Sequence, residues 1–279
     1  MTVSYAEVIG DPIGHSKSPL IHKFWLEKLG LDGEYRATRV APEEVAGYLA
    51  QRRQDPAWRG CSVTMPLKKL VEPHLDFVDP SSEWAGSTNC VFWDKADTLA
   101  GCNTDSSGVA VGLEDAKLRF KAAAIIGCGA AAQTALWHLK NEEIGHVRFV
   151  ARNRDEAAYL LRTMTVPGEV YTADEAQTAF SGTNAIINAS PLGMRGFPTM
   201  PLPVIEGLRH SCIDAVVFDM VYDPVSTALL REAGQICRKT VNGLTMLIGQ
   251  ARDSFAHFFD GDPSSDEKQD AELRALLTS

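Results

Sequence analysis

Apolar positions along the first third of this 279-residue chain follow two alternating rhythms. Short β-like runs, YAEVIG, YRATRV and GCSVTM, are each followed by a longer helical pattern: SPLIHKFWLEKLGL, PEEVAGYLAQRRQ and PLKKLVEPHL. This βα alternation predicts an α/β fold with a largely parallel sheet and helices on both faces. Ser18 before Pro19 predicts a helix start, with serine as the cap and proline in the first turn. A second pattern begins near Lys121. KAAAIIGCGAAAQTALWHLK reads as strand, glycine turn and helix, and HVRFVARNRDEAAYLLRTM repeats strand then helix. GTNAIINASPLGM and SCIDAVVFDMVYDP add two more strands, making four β runs in about one hundred residues, enough for a nucleotide-binding domain. After Val241, GLTMLIGQARDSFAHFF places Leu247, Ala251, Ser254 or Phe255, and Phe258 at helical spacing, an apolar face suited to docking back on the first domain. The acidic, Ser-rich tail from Asp260 predicts a loop and at most a short terminal helix.

Composition narrows the class. Hydrophobic residues make up 45% of the chain, a globular proportion, and the length suits one large or two medium domains. A formal charge of -9 leaves no electrostatic footprint for nucleic acid or an anionic membrane surface. Six dispersed cysteines without CxxC or histidine spacing read as reduced core thiols, not as a disulfide framework or metal site. The start MTVSYAEVIGDP has no basic, apolar leader pattern, and no apolar run approaches the length of a membrane helix. The expectation is a cytoplasmic protein without nucleic-acid or membrane partners, monomeric or homodimeric.

The most specific local signal is GCGAAA. Gly127 and Gly129 follow a strand and open a helix, with Ala132 at the third position of a GxGxxA pattern. Two glycines permit a tight turn and close approach of a pyrophosphate to the helix N-terminus. At the tip of the next strand, Arg152, Asn153 and Arg154 precede Asp155. Arginine there matches a 2′-phosphate, so the sequence favours NADP over NAD; Asp155 also reads as a cap of the next helix.

In the first domain, Ser16 and Ser18 stand before a helix, where hydroxyls and backbone donors suit a carboxylate; Ser18 equally reads as a plain cap. Asn89 and Asn103 sit beside small polar residues and suit turns formed by their own side chains, or amide contacts to a polyol ring. Hydride transfer to or from an alcohol needs a group that exchanges the hydroxyl proton. His15, His22, His74 and His138 lie in or beside helical patterns, where packing or surface roles suit them better. Lys68 and Asp105 are the candidate pair.

Together and in order, HSKSP, VTMPLK, AGSTN, GCNTD, GCGAAA, INASPLGM, DMVYDPVSTALL and NGLTMLIGQA make the chain similar to the shikimate/quinate dehydrogenase family, over all but the acidic tail. The run from Cys61 to Pro66 resembles a shikimate dehydrogenase-like branch of it. The resemblance implies two domains: an N-terminal α/β substrate-binding domain, residues 1–105 completed by the C-terminal helices of 241–279, and a Rossmann-type NAD(P)-binding domain, residues 106–240, with a cleft between them. It implies reversible NADPH-dependent reduction of 3-dehydroshikimate to shikimate, a step of aromatic amino acid biosynthesis. The alternatives are a quinate/shikimate or related cyclic hydroxy-acid dehydrogenase using NAD, or a catalytically weak relative. By motif, Lys68 is implied as the catalytic lysine with Asp105 its partner. Ser16, Ser18, Thr64, Asn89, Tyr222 and Gln250 are implied as substrate contacts, and Gly127, Gly129, Ala130, Ala131, Asn153, Arg154, Met220 and Gly243 as cofactor contacts. The family usually has asparagine where Ser62 stands, threonine where Cys90 stands, GAGGAA where this chain has GCGAAA, and Asn-Arg-Thr where it has NRD.

Overall fold

The computed structural model describes residues 3–116, 118–119, 121–263 and 266–278, and only the backbone of Asp115. The expectations that touch Met1 and Thr2 at the start and Ser264 and Ser265 in the tail lie outside the described residues. The chain divides into two compact units, Met1–Thr104 with Ile248–Ser279, and Asp105–Leu247.

The first unit runs β1 (Tyr5–Gly10), α1 (Ser18–Leu29), β2 (Glu34–Arg39), α2 (Val45–Arg52), β3 (Trp58–Val63), β4 (Phe77–Val78), α3 (Pro80–Ala85), β5 (Cys90–Trp93) and β6 (Leu99–Cys102). Its six-stranded sheet has the order β2-β1-β3-β5-β6-β4. β2, β1 and β3 are parallel, but β5 is antiparallel to both β3 and β6. The sheet is therefore mixed, where the alternation predicted a largely parallel one. The segments read as polar loops around Asn89 and Asn103 each hold a short strand, and the two form a hairpin. Asp94 closes its turn by accepting from the N–H groups of Ala96 and Thr98.

Period-two alternation gives this sheet two buried faces. Ile9, Cys61, Val63, Val91 and Leu99 pack with Val45, Tyr48 and Leu49 of α2, while Val8, Tyr35, Cys90 and Cys102 pack with Phe258. Two local expectations are corrected here. PLKKLVEPHL forms two 3-10 turns, Leu67–Lys69 and Glu72–His74, instead of a helix, since Pro73 has no N–H to extend an α ladder. Ser18 is the first residue of α1 and not its cap; Lys17 holds the cap position, and Ser16 Oγ accepts from Ser18 N at 3.3 Å.

The second unit runs α4 (Asp105–Leu113), β7 (Ala122–Ile126), α5 (Ala130–Asn141), β8 (His146–Val150), α6 (Arg154–Thr163), β9 (Gly168–Tyr171), α7 (Ala176–Phe180), β10 (Ala185–Asn188), α8 (Leu202–Gly207), β11 (Val216–Asp219), α9 (Ala228–Gln235) and β12 (Lys239–Val241). All six strands are parallel, in the order β12-β11-β10-β7-β8-β9. Read from β9, that is 3-2-1-4-5-6, the doubly wound dinucleotide-binding order, which switches direction at β7. Four strands were expected; β9 (GEVY) and β12 (KTV) are the two edges, too polar to register as β runs. One face of the sheet packs Ala123, Ile125, Val147 and Phe149 against α4, α5 and α6. The other packs Ala124, Ile126, Ile186 and Val217 against α7, α8 and α9. Such two-sided burial explains why these strands read as continuous apolar runs.

The long helix α10 (Gly243–Phe259) begins in the second unit and ends in the first. Ala251, Ser254, Phe255 and Phe258 are buried, and Leu247 is half-buried. The tail holds a 12-residue helix, α11 (Glu267–Thr278), longer than expected. Leu273 and Leu277, one turn apart, are buried, and α11 packs on α1 with a Lys28–Glu272 ion pair of 2.5 Å. This docking supplies the stability that the acidic sequence lacks as an isolated helix.

Candidate active site

Six of the expected site residues, Ser16, Ser18, Thr64, Lys68, Asn89 and Gln250, belong to the first unit. β3 ends at Val63, and Thr64 continues from it, its N–H donating to Ile9 O at 2.9 Å. Gly10 at the end of β1 leaves room for this, because a Cβ there would come within 2.5 Å of Thr64 Cγ2. Lys68 sits in the following 3-10 turn and is half-buried, whereas Lys69 is exposed. The Thr88 N–H donates to the Lys68 carbonyl at 3.0 Å, tying the lysine turn to the segment that delivers Asn89. Ser16 lies just before α1, with its N–H donating to Ile13 O.

Asn89 is buried where the loop enters β5, and its carbonyl accepts from Val63 N at 2.7 Å. Its side chain does not make a local turn. A chain of donors runs from Asn89 Nδ2 to Thr104 Oγ1 at 3.1 Å, on to Ser254 Oγ at 3.0 Å, and from Ser254 to the Gln250 carbonyl at 3.0 Å. Asn103 likewise reaches across, donating to Ser87 O at 2.6 Å. Sequence reasoning missed Thr104 and Ser254 as supports of Asn89. The available signal was the small hydroxyl of Ser254 on the otherwise apolar face of its helix; Thr104, among Asn103, Asp105 and Ser106, offered none.

The remaining candidates, Asp105, Gly127, Gly129, Ala130, Ala131, Asn153, Arg154, Met220, Tyr222 and Gly243, belong to the second unit. Asp105 is the first residue of α4 and is buried. Gly127 follows β7 at φ +100°, and a Cβ there would meet Ala189 O at 3.1 Å and Ser190 Cβ at 3.0 Å. Gly129 occupies the cap position of α5 with no side-chain cap, and nothing lies within 4 Å of where its Cβ would stand. Ala132 is fully buried against the sheet, as the third position of the pattern requires. The N-terminus of a 12-residue helix, bare of side-chain caps and fronted by open space, fits a dinucleotide pyrophosphate.

At the tip of β8, Asn153 is the cap of α6, accepting from Glu156 N at 3.2 Å. Asp155 lies inside the first turn and is not the cap, correcting that reading. Arg154 turns toward β9 and donates to Val170 O at 3.2 Å, on the rim of an open groove of about 630 Å³. Arg152 is exposed on the side of the glycine turn. Burial pushes the Cys128 thiol up, and the Arg152 charge opposes that rise. Arg152 was noted in the sequence but not chosen as a cofactor residue.

Two polar clusters set the loops after β10 and β11. The buried Asp219 carboxylate accepts from Thr227 Oγ1 at 2.6 Å, Asn188 Nδ2 at 2.8 Å and Val221 N at 3.0 Å. Burial raises its pKa against these three donors. Asn188 Oδ1 accepts from Ser190 N and Oγ. Met220 and Gly243 are brought together: a Cβ on Gly243 would stand 2.4 Å from Met220 O, so only glycine lets α10 start there. Tyr222 is half-buried two residues on, its phenol raised by burial and by Asp223.

Comparison with known proteins gives a consistent set. Residues 8–91 match the family model described as shikimate dehydrogenase substrate binding domain. The chain is 41% identical over 278 residues to a shikimate dehydrogenase (NADP(+)) of Sphingopyxis alaskensis, covering 99% of this chain and 97% of the relative. It is 34% identical over 258 residues to a shikimate dehydrogenase (NADP(+)) of Brucella abortus, covering 91% of this chain and 88% of that one. Among solved structures, shikimate 5-dehydrogenase from Thermus thermophilus in complex with NADP(H) and shikimate superposes with a TM-score of 0.82 at 30% identity, over 98% and 100% of the two chains.

Proposed function

Because this chain belongs to the shikimate dehydrogenase family, we propose that it interconverts 3-dehydroshikimate and shikimate with NADP(H), using Lys68 and Asp105 at the reacting oxygen. The observation that carries the reading is its 41% identity, end to end, with an NADP-dependent shikimate dehydrogenase, in a chain that keeps a half-buried lysine at position 68. Residues 1–105 with 241–279 form the substrate domain of this reading, and 106–240 the cofactor domain.

Substrate is a ring acid with several hydroxyls. Ser16 and Ser18, ahead of and within the first turn of α1, hold its carboxylate with hydroxyl and backbone donors. Thr64, Asn89, Gln250 and Tyr222 bond the ring hydroxyls. In reduction Lys68 gives its proton to the developing alkoxide at C3, and in oxidation it takes that proton back. Asp105 is the partner of the lysine in this reading. NADPH, when bound, supplies the hydride to that carbon. Gly127, Gly129, Ala130 and Ala131 would hold its pyrophosphate; Asn153, Arg154 and the neighbouring Arg152 its adenosine 2′-phosphate; Met220 and Gly243 its nicotinamide end. Six dispersed thiols suit a reducing cytoplasm.

Initial-rate kinetics over shikimate and quinate, each with NADP and NAD, test the assignment. Turnover of shikimate with NADP should exceed the other three combinations. Activity confined to quinate with NAD would overturn it.

A further inference from the structure

Cys90 stands where the family usually has threonine, and the reaction has no use for it. It faces Cys102 directly in the antiparallel pairing of β5 with β6, and Ser62 of β3 continues the same row. Residues directly opposed in an antiparallel pair have Cα atoms roughly 4.5–5.5 Å apart, inside the range a disulfide spans.

The third member is His257, in the last turn of α10. Its Nε2 lies 3.7 Å from Cys102 Sγ, and its ring stacks on Phe92 at 3.9 Å between centroids. Burial pulls the imidazole down, but the Cys102 thiol, Asp253 and Asp79 outweigh it and leave its pKa raised. Cys90 first and then His257 bring the Cys102 thiol down to about 7 against its burial. Cys90, fully buried, is pushed the other way and stays a thiol beside the Ser254 hydroxyl. Cys102, beside His257, is thus the more acidic thiol of the pair, and Cys90 the less acidic.

We propose that Cys102 and Cys90 are a modification site, a dithiol that hydrogen peroxide oxidises to an intrasheet disulfide. His257 takes the Cys102 proton, the thiolate attacks one oxygen of hydrogen peroxide, and the O–O bond breaks. The departing hydroxide takes the proton of the His257 imidazolium and leaves as water. Cys90 sulfur then attacks the Cys102 sulfenic acid; the S–O bond breaks, and the hydroxide leaves as water with the Cys90 proton. Two thiols lose two electrons in all, and one peroxide becomes two waters. A dithiol reductant reverses the step by exchange.

The site lies under the substrate asparagine. Asn89 precedes Cys90, and Asn89 N donates to Cys102 O at 3.2 Å. Drawing the two sulfurs into a bond shifts the strand ends that carry Asn89 and Thr104, so oxidation lowers turnover; this consequence rests on the proposed function, whereas the disulfide does not.

The test is stoichiometric hydrogen peroxide on the full chain, followed by alkylation, trypsin and mass spectrometry. Lys95 separates the cysteines, so the disulfide joins the tryptic peptides 70–95 and 96–117. The expected result is that link, a fall from six titratable thiols to four, and recovery of both with dithiothreitol. In Cys90→Ala the sulfenic acid on Cys102 accumulates and is trapped by dimedone, and His257→Gln slows oxidation at least ten-fold. Oxidation at Cys237, Cys128 or Cys212 with peptides 70–95 and 96–117 unlinked would overturn the proposal. Equal oxidation rates with and without His257 would remove its role. A linked protein of undiminished turnover would refute the effect on Asn89 while leaving the disulfide.

Discussion

Asn89 and Thr104 hold each other by two hydrogen bonds: Thr104 N donates to Asn89 Oδ1 at 2.7 Å, and Asn89 Nδ2 donates to Thr104 Oγ1 at 3.1 Å. A backbone N–H only donates, so it dictates which end of the amide carries oxygen. The hydroxyl end then passes the polarity on to Ser254 and Gln250. Thr104→Val keeps the shape and removes the hydroxyl, leaving a buried amide hydrogen without its acceptor. It should cost about 1–3 kcal/mol in urea denaturation. KM for shikimate should rise more than kcat falls, and Thr104→Ser should restore both. A variant with unchanged stability and KM would show that the amide needs no such support.

The two adjacent lysines should separate cleanly. Lys68→Ala removes the proton donor and should lower kcat by roughly 10²–10⁴ with substrate binding largely kept. Lys69 is exposed and its charge bears on Glu72, so Lys69→Ala should change kcat less than two-fold. Steady-state rates with shikimate and NADP decide between them; comparable losses in both would remove Lys68 from its assigned role.

His22 gives the protein an acid-sensitive core. Its ring is fully buried, stacked on Tyr35 at 3.8 Å, with neither nitrogen hydrogen-bonded among the described residues. Burial lowers its pKa to about 3. The unfolded imidazole protonates near pH 6.5 and the folded one does not until about 3, so stability falls as pH drops through that window. The slope contributed is at most about 1.4 kcal/mol per pH unit. His22→Phe should flatten the dependence of the urea midpoint between about pH 6.5 and 4; parallel curves for variant and parent would rule out His22 as its source.

The two glycines of the nucleotide turn fail for different reasons. Gly127 needs a positive φ, and a Cβ there would crowd Ser190 and the Ala189 carbonyl, so Gly127→Ala should destabilise the fold, by about 1–3 kcal/mol. Gly129 is extended and faces open space, so Gly129→Val should fold normally yet lose at least ten-fold in NADPH affinity by fluorescence titration. Retained affinity in a folded Gly129→Val would argue against a pyrophosphate at that helix end.

Arg152 should matter more to the cofactor's extra phosphate than Arg154, whose guanidinium is occupied with Val170 O. The expected result for Arg152→Ala is a larger rise in KM for NADPH than for NADH, with a smaller difference between cofactors in Arg154→Ala. Equal effects of the two substitutions on both cofactors would be the contrary outcome.

Much of the scaffold is local and was legible in the chain. YAEVIG is β1, GCSVTM covers most of β3, and AAAII is β7, because strands buried on both faces must be apolar throughout. GCGAAA announced its turn, since positive φ and close approach exclude side chains. The hairpin of β5 and β6 escaped, as four-residue strands flanked by Ser, Thr and Asn look like loops until a partner strand satisfies their backbone. The terminal helix escaped too, because its stability comes from Leu273 and Leu277 docking on α1. Motif order supplied the candidate residues. What only the tertiary structure decided is which side chains serve others: Thr104 and Ser254 under Asn89, Asp219 under the loop of Met220, and His257 beside Cys102. The sequence separation from Asn89 to Ser254 is long, and hydrogen bonds act over about 3 Å, so no local pattern along the chain can encode them.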